Sequence, residues 1–572
     1  MMKQKLIFSS KVANLVLSWF NFVMFFSMRC CWSGISKTLG YESNYAWILL
    51  NLPVFIFFLF FAVFIGNVCM YMLVKKESNL WSYICNVFNI VFFIVILVII
   101  KLGAVDYMRF VWPAFFTYLG ITIAILALVF MIFIYPKTPL NECKYFKYGT
   151  MGIVGIWLVL YLFNISFNRI TCGANVYAVE KEYQVVFSSS TESRAWVEVD
   201  GVRYFDNYNG VNRTYTKIHK VSVPMEVLDN AGHYKIHVQK LTYRGPFGGY
   251  FGRDISKEYS FRAVSAEDGI KYYSLSDIHM AGKASAKTVS YFNDIDFFVL
   301  AGDIVSMMDS FVDANLTNVY AHQITKGNIP IVYARGNHEL KGKYAEEFHN
   351  FVGTNHGNFY YNIYLDNTFI TVLDIGEDHD DDWWEYYDTA YYEEYRKAQY
   401  KMLEDTYLSS EHLAYDYKLA VCHIPVVFVN NRHNHEIAKA KFTELLNKLE
   451  INMCISGHQH DLLIFEPGTV KPNEVLKYNQ EFSSKKTYKG YLTDFNFVNL
   501  AVSKRGHTQT DSSNLTNMKS QIGTYISVDF GNKTQTVKFT DSLGKEINVV
   551  NPFADINYGK ELVFSLKTNR IV

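Results

Sequence analysis

The chain has 572 residues, with 54 basic and 54 acidic side chains and a formal net charge of zero. That length accommodates several domains, and the balanced charge leaves no bulk basic field to attract a polyanion, so no nucleic-acid binding is expected. Half the residues are hydrophobic and 17% aromatic, yet the apolar ones crowd before about residue 168, and the remainder of the chain reads as soluble protein.

Five apolar segments come first, at residues 12–28, 47–74, 82–100, 112–135 and 149–167. A bilayer core needs about 20 apolar residues per helix. "PVFIFFLFFAVFIGNVCMYMLV" and "VFNIVFFIVILVII" meet that requirement without a charge. The first segment is diluted by Asn14, Ser18, Asn21 and Ser27 and lacks a small-residue cleavage site, so it reads as a retained helix. The region 1–171 is thus expected to be a helical transmembrane bundle in contact with a lipid bilayer. With five spans, Lys3, Lys5, Lys11, Lys75, Lys76, Lys137, Lys144 and Lys147 fall on one side, and Arg29, Lys37, Lys101 and Arg109 on the other. That eight-to-four asymmetry puts the N-terminus in the cytoplasm and the C-terminal part outside it. Without the first span the count is seven to five and the orientation reverses.

Residues 172–265 carry short alternating runs such as "YQVVFSS", "RAWVEVDGVRYF", "HKVSVPMEV" and "HYKIHVQKLTY", with a hairpin signal at Asp200-Gly201. They predict a small all-β sandwich without a local His or carboxylate cluster. Cys172, Cys422 and Cys454 are the cysteines of the soluble part, and nothing resembles a disulfide framework or a CxxC metal pair.

From residue 266 to 572 apolar strands alternate with helical stretches at Tyr391–Tyr407 and Ile437–Leu449, which predicts an α/β domain. Its last third is richer in strands, with a hairpin about Gly531-Asn532. The acidic, aromatic run Glu377–Asp388 reads as a loop, and Tyr391, Tyr392 and Tyr395 as packing residues.

Five apolar strands here stop at polar residues. "YYSLSDIHM" ends in Asp277 and His279, and "FFVLAGDIV" in Gly302 and Asp303. "IVYARGNHE" ends in Asn337 and His338, "KLAVCHIP" in His423, and "INMCISGHQHD" in His458 and His460. In open α/β sheets, sites form outside the carboxyl ends of strands. Carboxylate, amide oxygen and imidazole suit divalent metals of intermediate softness, and the absence of thiolate argues against structural zinc. Seven ligands exceed one tetrahedral site and suit two metals, with the two oxygens of Asp303 able to bridge them.

The ordered set D-x-H, GD, GNHE, H and GHxH resembles the calcineurin-like metallophosphoesterase superfamily. The resemblance covers about Ile270 to Phe553. It implies an αββα sandwich and two divalent metal ions, of manganese, iron, zinc or magnesium. Asp277, His279, Asp303 and His460 would hold one ion; Asp303, Asn337, His423 and His458 the other. His338 matches the histidine that assists catalysis without ligating. The implied reaction is hydrolysis of a phosphate mono-, di- or pyrophosphate ester by a bridging hydroxide. The preceding sandwich resembles the fibronectin-like leading domain of purple acid phosphatases and related bacterial proteins, which points to a bacterial cell membrane.

Two departures stand out. Purple acid phosphatases have a tyrosine ligand after Gly-Asp, where this chain reads "GDIVSMMD", and they lack the histidine present here as His279. Relatives carry an acid three residues after the motif Asp to orient the catalytic histidine, and that position here is Ser306. Arg432, His433 and His435 in "NNRHNHE" are candidate substrate contacts, Arg being suited to bidentate phosphate binding. A non-catalytic receptor on the same fold would be expected to have lost ligands, and none of the seven is missing. A transporter would be expected to bury charges in its spans.

Overall fold

The computed structural model divides the chain into two units, Met1–Phe167 and Asn168–Val572. Apart from isolated positions, the described residues lie from 168 onward, excluding chiefly 245–248, 290–293, 431–435, 469–474, 478–486, 490–493, 503–520, 551–556 and 567–572. Among the described residues no helix is long and apolar enough to cross a membrane. The five predicted spans lie outside the described residues.

Two large sheets frame the second unit. One has nine strands in the order Leu562–Ser565, Thr534–Thr540, Gly523–Asp529, Ile270–Leu275, Phe297–Ala301, Pro330–Ala334, Ile170–Val179, Glu182–Ser189 and Ile218–Pro224. The other has six, in the order Tyr361–Leu365, Thr368–Val372, Tyr417–Val421, Met453–Ser456, Val498–Val502 and Leu462–Phe465. Strand periodicity explains how they stack. Leu419 and Val421 share one apolar cluster with Val299, Ala301 and Val332 of the first sheet. Their neighbours Ala420 and Cys422 face the other way, onto Leu403, Phe442, Leu445 and Leu446 of the helices Tyr392–Ser409 and Glu436–Lys448. Both faces of these strands are buried, which is why they read as continuous apolar runs.

The sequence expectation of a separate sandwich over 172–265 needs correcting. The strands Ile170–Val179, Glu182–Ser189 and Ile218–Pro224 extend the nine-stranded sheet, with Val176 opposite Pro330 and Tyr177 opposite Ile331 in parallel register. A four-stranded antiparallel sheet, Val202–Phe205, Ser193–Val199, His233–Arg244 and Gly249–Ser260, shares the same apolar cluster. The segment is layered and β-rich, but one of its layers belongs to the α/β domain's own sheet. The physical reason is edge protection: without Ile170–Val179, the strand Pro330–Ala334 would expose a row of unpaired backbone groups. The uninterrupted burial of Cys172–Val179 is the mark of a central strand. The stretch Met225–Ala231, read as the end of a strand, is a short helix after Pro224. The Asp200-Gly201 hairpin does form, with both residues left-handed at φ 47° and 80°, as a two-residue primed turn requires.

Folding also assembles a cluster that the sequence hides. His219 Nδ1 lies 3.1 Å from Asp206 Oδ2, its Nε2 lies 3.2 Å from Ser189 Oγ, and Arg213 reaches Asp206 Oδ1 at 3.3 Å. The order Ser-His-Asp invites a nucleophilic reading. However, the Ser189 hydroxyl donates to the Thr191 carbonyl at 2.7 Å, and Ser189, His219 and Asp206 are all buried. It is a structural cluster with every side chain partnered.

Candidate metal centre

The five polar motifs leave the carboxyl ends of five strands. Three belong to the parallel part of the nine-stranded sheet, Ile270–Leu275, Phe297–Ala301 and Pro330–Ala334. Two belong to the six-stranded sheet, the parallel pair Tyr417–Val421 and Met453–Ser456. Stacking the sheets brings these ends together. Asp277, His279 and His460 offer ligand atoms within 4.8 Å of one another; so do Asp303, His423 and His458, and so do His279, Asp303 and His338.

His460 Nε2 lies 3.0 Å from Asp277 Oδ1, and the ring nitrogens of His279 and His460 face each other at 3.2 Å. His423 Nε2 lies 3.1 Å from Asp303 Oδ2, the same oxygen that His279 Nε2 approaches at 3.7 Å and His338 Nε2 at 3.8 Å. Asp303 therefore belongs to two of the three groups, and His279 links them to the third. Asp277, His279, Asp303, His458 and His460 all hold left-handed backbone, with φ between 42° and 69°. That conformation is uncommon for residues with a Cβ and persists only where surroundings enforce it, as at functional sites. Here the bends aim successive side chains inward.

The loops are tied by backbone and carboxylate. Asp277 N donates to Gly302 O at 3.0 Å, and His279 N to Asp303 O at 3.1 Å. Asp277 Oδ2 accepts from His458 N at 2.9 Å, and Asp303 Oδ1 from His338 N at 2.9 Å. Glu339 is a hub that the sequence reading overlooked. Its carboxylate accepts from the backbone N–H groups of Asp303, Ile304, Val305 and Gly336 at 2.6–3.2 Å. Burial and the nearby charge of Asp303 push its carboxyl up to about 7, against those four donors. Its position three residues after Gly336, in a capping-box spacing, was the available signal. Gly302 and Gly336 pack directly against one another, so a Cβ on either would strike the other loop.

The donor set fits divalent cations. Asn337 Oδ1 is buried without a hydrogen-bond partner, and His423 Nε2 is buried without a directed hydrogen bond although Asp303 Oδ2 is 3.1 Å away. Asp277 Oδ1 likewise makes no hydrogen bond, although His460 Nε2 is 3.0 Å away. Buried polar atoms left without hydrogen bonds are costly and demand an explanation, and three of them in these strand-end loops suit cations. The imidazoles are fixed from behind: His423 Nδ1 against Ala301 O and His338 Nδ1 against Ser306 O, both at 2.8 Å. Each carbonyl takes the Nδ1 proton and leaves Nε2 to face the site. The missing acid at position 306 is thus replaced by that residue's own backbone.

Electrostatics agree. Burial opposes charge on Asp277 and Asp303, but His460 beside the first and His423 beside the second hold both carboxyls below the usual carboxylate range. Burial lowers His423, yet the Asp303 carboxylate outweighs it and raises the imidazole to about 10.

Arg432, His433 and His435 lie outside the described residues. A cavity of about 440 Å³ does open beside Asn337 and His458, walled by Lys341, Glu377, Tyr386 and Tyr392. Tyr395 hydrogen-bonds Asp374 at 3.2 Å, and Tyr392 packs on Gly376.

No curated protein matches the chain. Solved structures similar to it include a purple acid phosphatase from yellow lupin (Lupinus luteus) seeds, 10% identical over 69% of this chain and 75% of that one, with a TM-score of 0.45. A dimetal phosphatase from Danio rerio is 11% identical over 49% of this chain and 98% of that one, with a TM-score of 0.33. The anchor protein GAP50 of the Plasmodium inner membrane complex is 13% identical over 51% of this chain and 89% of that one, with a TM-score of 0.32. The family model for calcineurin-like phosphoesterases matches residues 270–462, the span from the first strand of the D-x-H motif to just past His460. Residues 270–462 are a calcineurin-like phosphoesterase domain, and the chain carrying it is a hydrolase of phosphate esters.

Proposed function

We propose that the chain is a membrane-anchored phosphoesterase with a dinuclear metal centre, in which Asp277, His279, Asp303 and His460 hold one ion and Asp303, Asn337, His423 and His458 the other. The observation that carries this reading is the set of buried polar atoms without hydrogen bonds in the strand-end loops, beside three overlapping Asp/His groups of which two share Asp303. When bound, the two ions would neutralise phosphoryl oxygens and make a nucleophile of water at neutral pH. The chain's own contribution is orientation. Glu339 locks the Asp303–Val305 and Gly336 backbones, the left-handed bends aim the ligands, and backbone carbonyls fix the His338 and His423 rings. His338, with Nδ1 spent on Ser306 O, keeps Nε2 to deliver a proton to the leaving oxygen or to stabilise charge there.

Purified full-length protein, screened against mono-, di- and pyrophosphate esters with manganese, iron, zinc and magnesium, should hydrolyse at least one class and lose that activity to a chelator. Chelator-resistant hydrolysis at the full rate would exclude the metal-dependent reading.

The anchoring half of the proposal rests on the apolar segments before residue 168, and the Lys/Arg asymmetry supports a domain outside the cytoplasm, facing phosphate esters of the cell envelope or lipid head groups. Alkaline phosphatase fused after Val572 should be active, whereas strong cytoplasmic fluorescence from a fluorescent-protein fusion would reverse the orientation.

A further inference from the structure

Asn337 has a two-sided amide, and only one side can serve a cation. Its Oδ1 is buried without a partner, while its Nδ2 donates to Glu377 Oε2 at 3.0 Å. A carboxylate can only accept, so Glu377 fixes which end of the amide points into the site. The other carboxylate oxygen, Oε1, lies 3.5 Å from Lys341 Nζ, and the Glu377 side chain is only 8% exposed. Its backbone is held as firmly. Arg396, a buried arginine on the helix Tyr392–Ser409, donates from Nε to Ile375 O and from Nη2 to Glu377 O, both at 2.9 Å. Between those carbonyls Gly376 turns at φ 77°, close against the Tyr392 ring, where a Cβ would clash. An unbroken line of contacts therefore runs from the buried side of the helix Tyr392–Ser409 through Arg396 and Glu377 to one amide.

We propose that Glu377 is a positioning residue that makes Asn337 competent to bind a cation, with the helix Tyr392–Ser409 as its support. The inference rests on the dinuclear reading above and adds to it a residue outside every D-x-H, GD, GNHE, H and GHxH motif. Glu377 also stands at the border of the cavity beside Asn337 and His458, so a change there is felt by the metal site and by whatever portion of the substrate enters.

The test is calorimetric titration of Mn²⁺ into metal-stripped full-length protein. Wild type should bind two ions. Glu377→Leu should weaken one of them by about 10- to 100-fold, as removal of a partner behind a metal ligand does, and leave the other unchanged. Glu377→Gln, whose amide oxygen can still accept from Asn337, should stay near wild type. With Asn337→Ala already in place, Glu377→Leu should cost nothing further. Should Glu377→Leu fail to fold, Glu377→Ser carries the same expectations. Two wild-type ions with undiminished affinity in the leucine or serine variant would overturn the role of Glu377 while leaving the dinuclear site standing. Fewer than two ions in wild type would overturn the site, and this inference with it.

Discussion

Two buried clusters of imidazole and carboxylate sit in one unit of this molecule, and they differ in what they leave unsatisfied. Around His219 every side chain has a partner: Asp206 on one ring nitrogen, Ser189 on the other, and Arg213 on the free carboxylate oxygen. Around Asp303 the count does not close: Asn337 Oδ1 is buried with no partner, and Asp277 Oδ1 and His423 Nε2 make no directed hydrogen bond although His460 Nε2 and Asp303 Oδ2 stand 3.0 and 3.1 Å away. The first cluster has spent its polar atoms on the fold. The second holds polar atoms in reserve, and in left-handed backbone that costs energy to keep. Residue types alone would have allowed a catalytic reading of the triad-like set; satisfaction of its hydrogen bonds removes that reading.

The sharpest way to break the comparison is to remove one carboxylate from each cluster. Asp303→Ala should drop phosphate-ester turnover to background, because it removes the carboxylate that two of the three groups share and that would bridge the ions. His338→Ala should keep its metal content and lose on the order of 10²–10⁴ in rate, the usual worth of an acid–base group. A variant that instead binds one ion fewer would reassign His338 as a ligand, which its inclusion in one Asp/His group makes a real alternative. Asp206→Ala should do the reverse of Asp303→Ala. It strands His219 and Arg213 and should cost about 3–5 kcal/mol of stability in denaturant unfolding, with turnover of the folded fraction unchanged. Loss of turnover without loss of stability in that variant would make the His219 cluster functional and the comparison false.

Metal should sharpen the same contrast. At a free concentration of 100 times its dissociation constant, each bound ion should add about 2.7 kcal/mol to unfolding, equally in wild type and in Asp206→Ala. The pH dependence has a definite sign. The Asp303 carboxylate raises His423 to about 10, so near neutrality metal must displace a proton from it. Affinity should therefore rise with pH, by about tenfold per unit for each proton released, with that proton detectable in weakly buffered titrations. Affinity that falls or stays flat between pH 6 and 8 would mean that His423 is not displaced.

The sequence was most legible where chemistry coincides with strand ends. Each of the five motifs follows an apolar run of four to six residues that forms a parallel strand, so both the strand and the place where it stops could be read. The helices at 392–409 and 436–448 lie within a residue or two of expectation because their apolar periods are long. Long-range pairing was not legible. Nothing local in Ile170–Val179 says that it will lie parallel to Pro330–Ala334 across more than 150 residues of chain, and so a shared sheet was read as a separate sandwich. Asp206 and His219 meet only after the hairpin between them folds back. Glu339 and Glu377 act through backbone N–H groups and a single amide, and each lay in plain sight among residues with a simpler reading, a turn and an acidic loop. Ser306 is the converse: its side chain suggested a missing function that its carbonyl supplies.

The central claim is that the unsatisfied cluster is built for two cations and that hydrolysis depends on both. Mn²⁺ should be titrated into metal-stripped full-length protein while bound metal and hydrolysis of a responsive phosphate ester are followed together. The account predicts two ions per chain in wild type, turnover that appears only as the second site fills, and neither in Asp303→Ala. Saturation at a single ion with full turnover, or unchanged binding and turnover in Asp303→Ala, would contradict it.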